Sequence, residues 1–212
     1  TAIREIPAGQ IKASSALVFT IISSALFMLS TYFINPLCFY LSPVALFVVL
    51  GYSYTKRFTP LCHLILGLGL SLAPIGAYLA LTERFDVLPI LFSVLVFFWV
   101  GGFDIIFALQ DEEFDRSQGL KSIPVLMGKA KALRLSEAMH AVSALLVILG
   151  YNYGGFSWLY ICGASVFIGL LIYQHLIVKP HDLSRVNLAF GTSNGIASVI
   201  FGVFVCLDIF LL

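Results

Sequence analysis

Apolar stretches of about twenty residues recur along the whole chain, and a helix of that length, rising about 1.5 Å per residue, spans the roughly 30 Å hydrocarbon core of a bilayer. In lipid every backbone N–H and C=O must be bonded within its own segment, so each stretch has to be a helix. Seven spans are predicted, over 11–33, 37–54, 60–81, 88–110, 130–150, 156–177 and 188–211. The expected fold class is all-α, a polytopic transmembrane helical bundle. With 60% hydrophobic and 11% charged residues, an ordinary soluble domain is excluded. Asn35-Pro36 closes the first span, Thr55-Lys56-Arg57 the second, and Gly119 and Pro124 stop the fourth. The third carries Gly67, Gly69, Gly76 and Ala77 for close helix contact, and it is predicted to be the only span with a mid-span proline, Pro74. No repeat, linker or low-complexity segment divides the chain, so one domain is expected over 1–212.

Charge placement orients the bundle. Arg4, Lys12, Lys56, Arg57, Arg116, Lys121, Lys129, Lys131, Arg134, Lys179 and Arg185 fall on one side, eleven of the twelve basic residues, and only Arg84 on the other. By the positive-inside rule the first side is cytoplasmic, and an odd number of spans sends the C-terminus outward. This predicts an integral protein of the cell's inner (plasma) membrane. A net charge of +1 without a basic tract gives no nucleic-acid partner, and no obligate protein partner is evident. Cys38, Cys62, Cys162 and Cys206 lie scattered in apolar stretches without metal-ligand spacing and read as free thiols.

Against this background stands one acidic island, 101–116, with five of the eleven acidic residues. If the fourth helix runs through it, Asp104, Asp111 and Asp115 stand at i, i+7 and i+11 on one stripe, with Asp111 and Asp115 a turn apart. Carboxylates stacked at a membrane boundary need a cation or basic partners to stay ionised. Asp111 and Asp115 can offer oxygen to Mg²⁺, an ion that takes one or two carboxylates and completes its octahedron with water and substrate phosphate. Lys56, Arg57, Lys121 and Arg4, on the same side, can take the rest of a polyanion's charge. Carboxylates, metal and basic groups opening on an apolar bundle suit a diphosphate head with a long hydrocarbon tail. Asp104 lies deeper and either helps this site or makes a structural hydrogen bond. Glu112 and Glu113 read as a solvated helix cap. His63 reads as structural, His140, His175 and His181 as packing or interfacial, Asp208 as interfacial, and Asn187 and Asn194 as bonds to neighbouring helices. Lys129, Lys131 and Arg134 are topology determinants or contacts to anionic lipid.

The segment DIIFALQDEEFDRSQGLKSIP, starting at Asp104, resembles the second aspartate-rich motif of the UbiA superfamily of intramembrane prenyltransferases, and of its 4-hydroxybenzoate polyprenyltransferase-like members most closely. REIPAGQI from Arg4 resembles the loop after the first aspartate-rich motif, YSYTKRFT from Tyr52 the YxxxK loop, and DLSRVN from Asp182, with Asn194-Gly195, the entry to the last helix. The resemblance implies a nine-helix bundle around a cavity open to lipid, with two aspartate-rich motifs facing each other over Mg²⁺ and a diphosphate. Carried over, Asp111 and Asp115 are metal ligands, Lys56, Arg57 and Lys121 contact the diphosphate, Tyr52 lines the site and Arg4 lies near it. Phe103, Phe107, Tyr54 and Trp99 are candidates to shield an allylic cation. One departure is Phe107, where the family often has Tyr. The chain opens at Thr1 on a polar loop without signal-peptide features, so the resemblance also implies that the first two helices and the first motif lie outside it. A chain of 212 residues alone is then expected to be inactive.

The expected activity is Mg²⁺-dependent transfer of a polyprenyl group from polyprenyl diphosphate to a 4-hydroxybenzoate-like aromatic acid in quinone biosynthesis. A menaquinone-pathway enzyme acting on a naphthoate-type acceptor is the alternative. A transporter or non-catalytic membrane scaffold could also bury a carboxylate, but it does not account for carboxylates and lysines gathered on one face.

Overall fold

The computed structural model describes residues 5, 6 and 8–211, which form helices joined by turns. In chain order these are α1 (Ala13–Ile34), α2 (Pro36–Thr55), α3 (Cys62–Thr82), α4 (Val87–Ala108), a 3₁₀ turn (Leu109–Asp111), α5 (Glu112–Ser117), α6 (Ile123–Met127), α7 (Lys129–Gly154), α8 (Trp158–Ile177), a π-helical segment (Leu188–Ser193) and α9 (Asn194–Leu211). Among the described residues seven helical segments are long and apolar enough to cross a membrane, as the sequence predicts, with boundaries moved by a few residues.

Local chemistry sets the joints. Asn35 caps α2, its side chain accepting from Cys38 N–H at 2.8 Å, and Pro36 opens the helix where its missing N–H is harmless. The same Asn35 amide donates to Leu79 C=O at 2.9 Å, so the α1–α2 joint is tied to the far end of α3. Asp86 accepts from Val87 N–H at the start of α4. Pro43 lies inside α2, so the third span is not the only one with an internal proline. A spanning helix tolerates this when neighbours take up the freed backbone groups. In α3 one such repair is visible, since Ile75 N–H, just after Pro74, donates to Ser93 Oγ of α4 at 3.1 Å.

Helix α4 is the centre, packed against α3 on one side and α7 on the other. Half of the span it forms with α5 is buried, against 6% for α1 and for α2, whose side chains are mostly exposed. Close approach needs small residues: a Cβ on Gly67 would strike Phe97 C=O, and one on Gly102 would strike the His140 ring. Two apolar clusters fill the interior, one around Ile105, Ile106, Leu109 and Ile123 beside the acidic segment, the other around Leu95, Val147, Tyr160 and Phe167 in the opposite half.

Buried polar side chains cross-tie this core. Ser136 and Ser143 donate to Gly102 and Leu95 carbonyls of α4. His140 bonds His175 at 2.9 Å and Trp99 C=O at 3.2 Å, so this pair is hydrogen-bonded rather than merely packed. Asn194 Oδ1 accepts from Trp99 Nε1–H at 2.9 Å and from Gln174 at 2.8 Å, the helix-to-helix role expected of it. Its amide donates to Ala189 and Phe190 carbonyls, where the backbone widens into the π-helical turn. Asp208, expected at the interface, is enclosed by protein groups near the end of α9. It is 5% exposed and caps α8, accepting from Ser157 N–H and Oγ–H and from Tyr160 N–H at 2.6–3.1 Å.

Candidate active site

The acidic segment does not continue α4. The helix ends at Ala108, and the 3₁₀ turn over Leu109–Asp111 precedes α5. A 3₁₀ turn advances about 120° per residue instead of about 100°, so three residues rotate the chain by roughly 60°. The expected single stripe of Asp104, Asp111 and Asp115 is therefore broken, and the carboxylates find different partners.

Asp115 is almost fully buried (1% exposed), and Lys56, at the C-terminus of α2, places Nζ 2.7 Å from its Oδ2. That oxygen nevertheless receives no aligned hydrogen bond, so the contact is Coulombic without being directional. Two loops hold the pair in place. Lys121 N–H donates to Lys56 C=O at 2.7 Å, and Leu120 N–H to Asp115 C=O at 2.8 Å. Lys121 Nζ donates to Phe58 C=O at 3.2 Å, which holds its ammonium beside the α2–α3 loop. Gly119, with φ of +64°, makes the reversal that brings Lys121 back to this loop, a conformation a side chain would strain.

Deeper in, Asp104 Oδ2 accepts from His63 Nδ1 at 2.7 Å, and Ile123 N–H approaches His63 Nε2 at 3.5 Å. Of the two roles open to Asp104, the site or a structural hydrogen bond, the bond has a partner in His63, itself expected to be structural. Tyr52, in the last turn of α2, is half-buried and lies within the field of Asp104. Asp111 is half-exposed and makes no ion pair among the described residues. Arg57 turns aside and stacks over the Tyr54 ring at 5.6 Å. Glu112 pairs with Arg116 at 2.8 Å, and with its side chain 14% exposed it is a largely buried ion-pair partner and not the solvated cap expected. Arg4 lies outside the described residues.

Of the aromatic candidates, Trp99, Phe103 and Phe107 share α4 and Tyr54 does not join them. Phe190, from the π-helical segment, completes a row: Trp99–Phe103 at 5.6 Å, Phe103–Phe190 at 5.5 Å and Phe107–Phe190 at 4.2 Å between centroids. Trp99 and Phe103 also line an open apolar recess of about 420 Å³ with Leu70, Ala73, Pro74, Val96 and Val100. Phe190 gave no sequence signal, because its contact depends on the π turn.

For a metal, the chain offers two carboxylates and no cluster of three or more metal-ligating side chains among the described residues. The buried Asp115 Oδ2 is taken up by the Lys56 ammonium at 2.7 Å, so it could accept a divalent cation only with that ammonium drawn aside, whereas the half-exposed Asp111 carboxylate is open to a cation that takes its remaining ligands from water and phosphate.

Known proteins are similar to this chain. The chain is 28% identical over 198 residues to a protein named 4-hydroxybenzoate octaprenyltransferase from Francisella tularensis subsp. mediasiatica (strain FSC147), covering 93% of this chain and 69% of the relative. It is 28% identical over 201 residues to the like-named protein of Aliivibrio fischeri (strain MJ11), covering 95% and 70%. The apo structure of a UbiA homolog from Aeropyrum pernix K1 superposes with a TM-score of 0.87 at 31% identity, over 98% of this chain and 77% of that one. A digeranylgeranylglyceryl phosphate synthase structure shares the fold, with a TM-score of 0.74 at 22% identity over 99% and 75%. With residues 1–204 matching the description "UbiA prenyltransferase family", this seven-span bundle belongs to that family of membrane prenyltransferases.

Proposed function

We propose that the protein to which this chain belongs transfers a polyprenyl group from polyprenyl diphosphate to a 4-hydroxybenzoate-like aromatic acid, with Mg²⁺, for quinone biosynthesis. One observation carries the reading: the buried Asp115 carboxylate paired with Lys56 stands on α5, just beyond the polar end of α4, the helix whose Trp99 and Phe103 line an open apolar recess. Lys56 and Lys121 hold positive charge where a departing diphosphate would gather negative charge, and charge fixed in place beforehand needs no reorganisation as the bond breaks. Arg57 joins them by leaving the Tyr54 face, and Tyr52 borders the head group. Asp111 and Asp115 are the side chains that would hold the metal. When bound, Mg²⁺ supplies charge neutralisation on the leaving group. As the allylic C–O bond breaks, the π faces of Phe103, Phe107 and Phe190 stabilise the carbocation until a ring carbon of the acceptor bonds to it and that carbon's proton leaves. The site faces the cytoplasm by the charge asymmetry of the loops, and the helices sit in the inner membrane.

The test is product formation by the full-length protein in proteoliposomes, with polyprenyl diphosphates and radiolabelled acceptors. Metal-dependent prenylation of 4-hydroxybenzoate, abolished in Asp111→Ala and Asp115→Ala, is expected. Prenylation of a naphthoate acceptor alone would reassign the substrate, and full activity in both variants would remove the two aspartates from the reaction.

A further inference from the structure

Among the described residues, His63 and Asp104 form the most enclosed polar pair near the acidic segment, and neither belongs to the Lys56–Asp115 contact. His63 is 2% exposed, in the first turn of α3. Its Nδ1 lies 2.7 Å from Asp104 Oδ2, so Nδ1–H donates to that oxygen, while Nε2 points at the backbone of Ile123 at 3.5 Å. The buried ring is fixed at the start of α3, and its Nδ1–H bond fixes the orientation of the carboxylate. The other oxygen, Oδ1, accepts no hydrogen bond among the described residues, yet it is not a buried unsatisfied atom, and the Asp104 side chain keeps 13% exposure. Oδ1 thus keeps an open approach. Ile123 also follows the Lys121 loop that holds Lys56, so one short segment, 121–123, fixes both carboxylate pairs.

We propose that His63 is a positioning residue of the active site, locking Asp104 with Oδ2 occupied and Oδ1 presented to the hydroxyl of the aromatic acceptor. This rests on the prenyl-transfer reading above. Substituting His63 leaves Asp104 free to rotate and collapse onto other donors, so the loss falls on turnover and acceptor use, not on the diphosphate donor. Gln is the conservative replacement, because one amide can donate to Asp104 and accept from Ile123 N–H.

The experiment uses full-length protein in lipid. His63→Ala is expected to lower kcat roughly tenfold or more, the scale of a lost hydrogen bond to a charged group, with donor KM held within about twofold. His63→Gln recovers most of that loss. Asp104→Asn/His63→Ala is no slower than Asp104→Asn alone, because the two act as a unit. An unchanged kcat per folded molecule in His63→Ala, or additive losses in the double variant, would overturn the proposal. A wild-type protein that prenylates no acceptor would instead refute the reaction. In that event ¹⁵N imidazole spectra still decide the pair: Nδ1–H is expected in the wild type, with a changed tautomer signature in Asp104→Asn. An Nε2–H tautomer in the wild type would sink the idea without any turnover.

Discussion

Replacing Lys56 by Met separates what the Lys56–Asp115 pair does for stability from what it does for chemistry. Methionine keeps most of the alkyl stem and removes the charge. At 2.7 Å, with an effective dielectric constant of about 20, the lost attraction is on the order of 6 kcal/mol before solvation is counted. Desolvation already offsets much of this. Stripping a partner from a fully buried pair costs about 3–5 kcal/mol, and Lys56 keeps 30% exposure, so a net loss of roughly 2–3 kcal/mol is expected. For a chain of this size that is a fall in Tm of roughly 5–10 °C. Lys56→Met/Asp115→Asn removes the uncompensated charge altogether and should return to within about 1 kcal/mol of the wild type. Prenyl transfer should stay abolished in both variants, since neither retains the cation that faces the diphosphate. Thermal melts by circular dichroism, run beside turnover on the same preparations, give both readouts. A double variant as unstable as Lys56→Met would refute the reasoning, because the buried charge would not be the source of the loss.

Three further outcomes follow from single contacts. Asp208→Ala strips the α8 N-terminus of the acceptor for Ser157 and Tyr160 N–H and should cost roughly 2–4 kcal/mol in thermal melts, Asp208→Asn less, with turnover per folded molecule unchanged. Gly102→Ala drives a methyl into the His140 ring and should destabilise by about 1–3 kcal/mol. Gly69→Ala, whose new methyl meets Val49 at an ordinary 3.8 Å, should stay within about 0.5 kcal/mol and serves as the control. Asp111→Asn should raise the Mg²⁺ concentration for half-maximal turnover about tenfold or more, measured by metal titration of the full-length protein, and an unchanged titration would exclude Asp111 as a ligand.

The sequence by itself determined the seven spans and which end of the bundle is polar. Both are local consequences of chain composition: a segment of about twenty apolar residues in lipid has no alternative to a helix, and charge cannot be left in the hydrocarbon. It also marked Asp104 as an acid needing a partner, Asp115 and Lys56 as site residues, and Asn194 as a bond between helices. Which groups meet was decided by the tertiary structure. Lys56 and Asp115, like His63 and Asp104, are far apart in the chain and come together only when α3 closes on α4 and the α5–α6 loop folds back over the α2–α3 loop. The 3₁₀ turn that breaks the aspartate stripe, and the π turn that delivers Phe190 to Phe103, are changes of helical phase, and a pattern read at a constant 3.6 residues per turn cannot register them. Asp208 lies near the end of a span, where an acid reads as solvated, but the α8 N-terminus folds beside it and its N–H groups have no other acceptor.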